Sequence, residues 1–250
     1  MELKKGGIGC AQRNAGRRQT GWSGGGYGGI RGAAGRLYAG VSGKADVGGL
    51  VGENSSTSTI TDSYAEGIIT GTNYVGGLVG TSYWNSEIIH SYGTGNVSGT
   101  ENVGGLVGVN FKSAIKRSYS SGSVNGTRYV GGFVGANQSS ATIENSYTTS
   151  VVAGVNRVGG FAGENTTEAT IQTSYANGSL TGSTQTGGFI GNYTTPATNS
   201  YANTTTYGDA RGANEATTAQ MRLQSTYVDW DFTNFWAISL TEKGGFPYLK

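Results

Sequence analysis

Cysteine occurs once, at Cys10, so the chain can form no internal disulfide and no cluster of thiolates around a metal. Histidine also occurs once, at His90, which leaves little to build a zinc site from. No apolar run approaches the roughly 18 residues of a membrane span. The opening MELKKGGIGCAQRNAGRRQT is basic but lacks the apolar stretch and small-residue cleavage site of an export signal. Either the protein stays inside, or this start is not the original one and the chain is a fragment. Proline numbers 2 and charged residues make up 13 %. Low charge beside 46 Gly would suit a flexible segment, yet Val, Ile, Leu and Tyr return at regular intervals, which unpatterned disorder would not do. A fold with this little cysteine has to be held by strand pairing and packing.

The net charge of +2 hides an asymmetry. Residues 1–44 carry eight basic side chains against Glu2 alone, whereas residues 45–250 carry nine basic and fourteen acidic ones. The first segment, with Trp22, Tyr27 and Tyr38 among its Arg and Gly, has the raw material to bind phosphates and stack bases. Its Arg residues are too sparse for that, and no nucleic-acid partner is expected. For residues 1–37 three readings stand: a degenerate first coil, a basic tail, or an artefact of a misplaced or truncated start.

What is abundant is a repeat. Double glycines fall at 48, 76, 104, 131, 159 and 187, at intervals of 28, 28, 27, 28 and 28. Each opens a GGLVG-like run, with Phe in place of Leu in the last three. A Ser-Tyr pair keeps step at Tyr64, Tyr92, Tyr119, Tyr147, Tyr175 and Tyr201. Four residues before each Tyr stands Ile60, Ile88, Ile115, Ile143, Ile171 or Ala197, and five residues after the first five stands Ile69, Val97, Val124, Val152 or Leu180. A fixed period of 20 to 50 residues marks a solenoid or array. The apolar runs are short, β-branched or aromatic, and bounded by Gly, Asn, Ser and Thr, so they read as strands and turns.

The expected fold is therefore all-β, a parallel right-handed β-solenoid (β-helix) of about six coils over residues 38–208, with about three strands per coil and a perimeter of roughly 90 Å. Equivalent residues should stack into ladders about 4.8 Å apart. The glycine pair lets backbone approach backbone or an opposing ring, or permits a positive φ. In VGGLVG, Val75 and Val79 point one way and Leu78 the other, and the pattern does not say which set is interior. Asn54, Asn110, Asn137 and Asn165 recur two residues after the motif, as an amide ladder along the axis or simply as turn formers.

Open solenoid ends need caps. Residues 209–250 read as one: a short helix near Met221, capped by Thr217 with Gln220 reaching back, followed by an aromatic plug over the last coil built from Trp230, Phe232, Phe235, Trp236, Phe246 and Tyr248.

Chemistry is harder to find. Glu66, Glu87, Glu101, Glu144, Glu164 and Glu168 do not share one column, so the convergent carboxylates of a polysaccharide-cleaving β-helix are not evident. Asp229 and Asp231, two apart, would share a face as an acid/base pair if extended, but their setting among Trp and Phe favours a structural role. His90 falls at a variable position two before Tyr, held elsewhere by Asp62, Arg117, Asn145, Thr173 and Asn199, which reads as a solvated surface slot. Gly43-Lys44 is followed by Ala45 and precedes no helix, so no phosphate loop is present. No catalytic, cofactor or metal residue is expected.

These motifs resemble the GLUG motif family: Gly49 to Gly52, Gly77 to Gly80 and Gly105 to Gly108 match its name literally, and the Ser-Tyr segment and the terminal DWDF and GFPYL stretches are similar too. The resemblance implies a repeat module of bacterial or archaeal surface and secreted proteins, including haemagglutinin-like adhesins and immunoglobulin-cleaving peptidases, in which it is a stalk or binding region and not the catalytic part. The expectation is a non-enzymatic, extracellular adhesion module that meets a glycan or a host cell surface by multivalent contact. The alternatives are a passive stalk of a larger peptidase or adhesin, or a polysaccharide-cleaving enzyme. Oligomeric state is not legible.

Overall fold

The computed structural model describes residues 40–166 and 168–250, with the backbone alone of 23–24, 29–31 and 34–36. In the second coil the chain runs as five short strands, Asn73–Gly76, Val79–Tyr83, Glu87–Ile89, Tyr92–Gly93 and Asn96–Ser98. Each pairs in parallel with its counterpart in the next coil. Repetition of this pattern gives five parallel sheets of 7, 6, 6, 8 and 6 strands among the described residues, a parallel β-solenoid. The double glycines lie in register, Gly76 opposite Gly104 and Gly131 opposite Gly159.

The coil has five strands where three were expected because two of the expected runs contain corners. The first corner is the glycine pair. VGGLVG bends at Gly77-Leu78, so both of its apolar sets turn inward. Val75 joins a small core with Val47, Ile69, Val97, Val103, Val124 and their successors. Leu78 and Val79 instead enter a larger core with Ile88, Leu106, Phe133, Phe161 and Phe189. The three Phe rings stack at 4.7 and 4.8 Å. Between the two cores the coil is pinched. A Cβ on Gly77 would overlap the carbonyl oxygen of Gly105 in the next coil, and one on Gly76 would overlap the carbonyl oxygen of Val79. Across the interior, a Cβ on Gly49 would lie 2.8 Å from that of Ala65, which follows Tyr64. Close approach of backbone is therefore what the pair provides, and neither glycine column needs a positive φ.

The second corner explains the Ser-Tyr pair. The residue two before each Tyr adopts a left-handed φ of 45° to 54° in all six coils, at Asp62, His90, Arg117, Asn145, Thr173 and Asn199. That kink takes the next amide out of the strand ladder. The buried serine then closes the gap: the Ser91 amide donates to Ser118 Oγ at 3.2 Å, while Ser91 Oγ donates to the Ile89 carbonyl at 2.8 Å. The same pair of bonds recurs at Ser118, Ser146 and Ser174. The slot read as merely solvated is thus fixed in backbone though variable in side chain.

The asparagine column is an interior amide ladder. Asn110 Nδ2 donates to Asn137 Oδ1, and Asn137 Nδ2 to Asn165 Oδ1, both at 2.8 Å and fully buried. A buried amide deprived of its partner costs about 1–3 kcal/mol. Asn137→Ala removes the link shared by both neighbours, so a loss of about 2 kcal/mol is expected, measured as a lowered urea midpoint at unchanged slope.

At the start, Ser23–Gly24, Gly29–Arg31, Ala34–Arg36 and Val41–Ser42 pair in parallel with the strands of the first coil. Residues 1–22, on which the tail and misplaced-start readings chiefly fall, lie outside the described residues. At the other end, residues 204–216 cover the last coil: Tyr207 packs over Gly160, the Ile190 amide donates to the Arg211 carbonyl at 2.8 Å, and Asn214–Ala216 adds a final strand. The short helix Thr218–Met221 is capped by Thr217 in a capping box with Gln220, and Met221 is buried, as the sequence indicates.

The aromatic segment takes a different place from the one expected. It runs back along the Tyr flank instead of sitting over the end, which residues 204–216 already occupy. Trp230 and Trp236 bury against Tyr147, Tyr175 and Tyr201. Their indole N–H groups donate to the Asn199 carbonyl at 2.7 Å and to Asn145 Oδ1 at 3.1 Å. Trp236–Ala237 and Tyr248–Leu249 form an antiparallel pair that holds this strap together.

Candidate functional site

Several of the carboxylates singled out from sequence are engaged in structural contacts. Asp231 closes a turn, accepting from the Thr233 and Asn234 amides at 2.9 and 2.8 Å and from Asn234 Nδ2 at 2.7 Å. Those hydrogen bonds, led by the Asn234 side chain, hold its pKa below the usual carboxylate range, which suits a fixed anion and not a proton donor. Asp229 is exposed, not buried among the aromatics, and sits at a positive φ of 61°. Glu87 pairs with Lys116 at 3.0 Å, Glu101 with Arg128 at 3.6 Å and the buried Glu164 with Arg157 at 2.6 Å. His90 contacts Asp62 at 3.1 Å and the Lys250 carbonyl at 3.3 Å. Among the described residues no three His, Cys, Asp or Glu side chains cluster as metal ligands.

The Tyr column is a stacked ladder, with ring centroids 4.7 to 5.1 Å apart from Tyr64 to Tyr175. Its far half lies under the strap, and Tyr64, Tyr92 and Tyr119 remain half-buried. Burial raises the Tyr119 phenol to about 12, with the neighbouring Tyr92 adding to the shift, and Tyr147 and Tyr175 are raised too, chiefly by burial. A raised folded-state value means that stability is intact below pH 10, the ordinary tyrosine value, and is lost as pH climbs past it, since the unfolded chain ionises first. A urea midpoint that is flat near neutral pH and falls between pH 10 and 12 is expected. A flat profile across that window would show the ladder to be solvated.

The surface on another flank is of a different kind. Trp230 and Trp236 are buried, but Trp84 is 53 % exposed in the turn between Val79–Tyr83 and Glu87–Ile89. The Phe111 ring meets Trp84 edge-on at 5.6 Å and Tyr83 at 5.7 Å. The Lys112 ammonium lies 4.8 Å from the Trp84 ring centre, a cation–π contact. Beside these rings opens a depression of about 270 Å³ whose walls come from Asn85 and Glu87 on one side and Ser140 and Thr142 on the other, with Lys112 and Ser113 between. At the Trp84 position the first and fourth coils carry Ser56 and Ser139, and the third carries Lys112. Sequence reasoning passed over this group. Its available signal was one Trp in a turn otherwise filled by small polar residues.

This geometry accompanies a repeat whose matches are specific. Residues 44–70, 99–125 and 126–153 match the GLUG motif. The chain carries GLUG repeats. No curated protein matches it significantly. Among solved structures, the GLUG solenoid is similar to a Bacteroides ovatus protein described as a "putative immunoglobulin A1 protease", with a TM-score of 0.69 and 19 % identity, over 96 % of this chain and 82 % of that one. At that identity the likeness is one of fold. A GLUG-repeat solenoid of this form fits a structural or binding module, and among the described residues no helix is long and apolar enough to cross a membrane.

Proposed function

We propose that the chain is a non-enzymatic adhesion module, secreted or held at a cell surface, that binds glycans through the aromatic surface around Trp84. The exposure of Trp84 carries this reading. An indole left outside a fold that buries Trp230 and Trp236, beside two further rings and a hydroxyl-lined depression, has the makeup of a recognition surface: an apolar body to stack against and polar groups to orient what is stacked. The repeated solenoid then acts as a rigid holder, and several such modules in a longer protein would bind by avidity.

A glycan array probed with the soluble protein tests this. Trp84→Ala is expected to weaken binding at least about tenfold, equivalent to ~1.4 kcal/mol, with the urea midpoint unchanged because the side chain is not part of the core. An array that captures nothing would leave the passive-stalk reading in its place.

A further inference from the structure

The depression beside Trp84 has a definite origin. The third coil is the one that spans 27 residues, and the missing residue is in this turn. Two residues separate Val107–Phe111 from Ala114–Lys116, whereas three separate the equivalent strands on either side, Tyr83 from Glu87 and Gln138 from Thr142. The strands flanking the turn stay in register, Phe111 opposite Tyr83 and Gln138, and Ala114 opposite Glu87 and Thr142. The whole deficit is therefore taken up at the surface, as a notch between two longer turns.

Its chemistry is unequal in charge. Lys116 is neutralised by Glu87 at 3.0 Å. Lys112, exposed at the centre of the notch, has aromatic contacts to Trp84 and Phe111 and no carboxylate partner among the described residues. One wall supplies the Asn85 amide and the Lys116-paired Glu87, and the other the Thr142 hydroxyl and that of Ser140, which donates to Glu168 Oε2 at 3.2 Å. At about 270 Å³ the notch lies just below the range of sites for drug-sized ligands, about 300–1,000 Å³, and suits one ring of a longer chain.

We infer that the notch is a subsite for a carboxylated sugar residue, which stacks on Trp84 while its carboxylate pairs with the Lys112 ammonium and its hydroxyls meet Asn85, Ser140 and Thr142. This rests on the adhesion reading above and names its ligand class. The pair forms in a partly exposed site, so the charge preference weakens as salt rises.

Calorimetric titration of the full chain with tetragalacturonate and with its methyl ester, and with sialyllactose and lactose, decides the matter. At least one acid is expected to bind tenfold or more tightly than its neutral counterpart. Lys112→Gln, an exposed substitution that the fold tolerates, is expected to remove that preference. Insertion of one serine after Lys112, restoring a 28-residue coil, fills the notch and abolishes binding of both forms. Equal binding of acid and neutral forms, or an acid preference that survives Lys112→Gln, overturns the inference. Array binding that persists in Trp84→Ala and in the insertion variant removes this site while leaving adhesion intact, and no glycan binding at all ends both.

Discussion

Gly105→Ala is expected to abolish the folded solenoid or lower its stability by more than about 3 kcal/mol, the upper end of overpacking costs. The added methyl would overlap the Gly132 carbonyl oxygen of the next coil and lie 3.1 Å from both Ser120 Oγ and Ser150 Oγ. The carbonyl is held in place, because Gly132 lies at the corner between two paired strands and its oxygen accepts from Ser120 Oγ at 2.8 Å and Thr148 Oγ1 at 3.1 Å. Gly71→Ala is the control. There the methyl would meet the Val75 Cγ2 at 2.6 Å and the Val47 Cγ2 at 3.0 Å, which are side-chain atoms able to shift, so a cost of about 1–2 kcal/mol is expected. Urea denaturation of the two variants reads the difference. Equal losses would mean that the double glycine is not the point of closest backbone approach.

Trp236→Ala is expected to cost about 3–5 kcal/mol, as for other buried tryptophans, and to release the strap before the solenoid unfolds. Trp236 is fully buried, 4.4 Å from the Trp230 ring and 6.1 Å from both Tyr147 and Tyr175. The strap has few other anchors along the flank: Tyr175 OH donates to the Pro247 carbonyl at 2.7 Å, Arg117 lies 5.6 Å from the Phe235 ring, and His90 reaches the Lys250 carbonyl. Hydrogen exchange should therefore show protection lost over residues 230–250 and retained in the Val79–Tyr83 and Val107–Phe111 strands, a local opening below the global one. Simultaneous loss in both regions would make the strap part of the solenoid's cooperative unit.

Much of the architecture was legible because stacking converts period into contact. A residue repeated every 28 positions in a parallel coil meets its own copies one strand spacing away, so the Tyr and Ile columns read as ladders from spacing alone, while the Asn column read equally as a ladder or as turn formers. The corners were less legible. A left-handed residue at Asp62, His90 and their equivalents leaves no compositional trace, since Asp, His, Arg, Asn and Thr all occupy it, and only the serine that follows betrays it. The strap was misplaced because its aromatic composition reports burial and not the partner. The notch was visible as a single 27-residue interval, but an interval says only that a residue is missing, not that the loss is confined to one exposed turn.

The sequence by itself determined the approximate number of coils and the in-register stacking of equivalent residues, since these follow from periodicity and the fixed spacing of paired strands. Tertiary structure alone decided that both apolar sets of the VGGLVG run face inward, that half of the Tyr ladder is covered, and that Lys112 lines an open notch next to the exposed Trp84. Those outcomes depend on where the chain bends and which remote segment arrives, and neither is encoded in the repeat that each coil shares with the next.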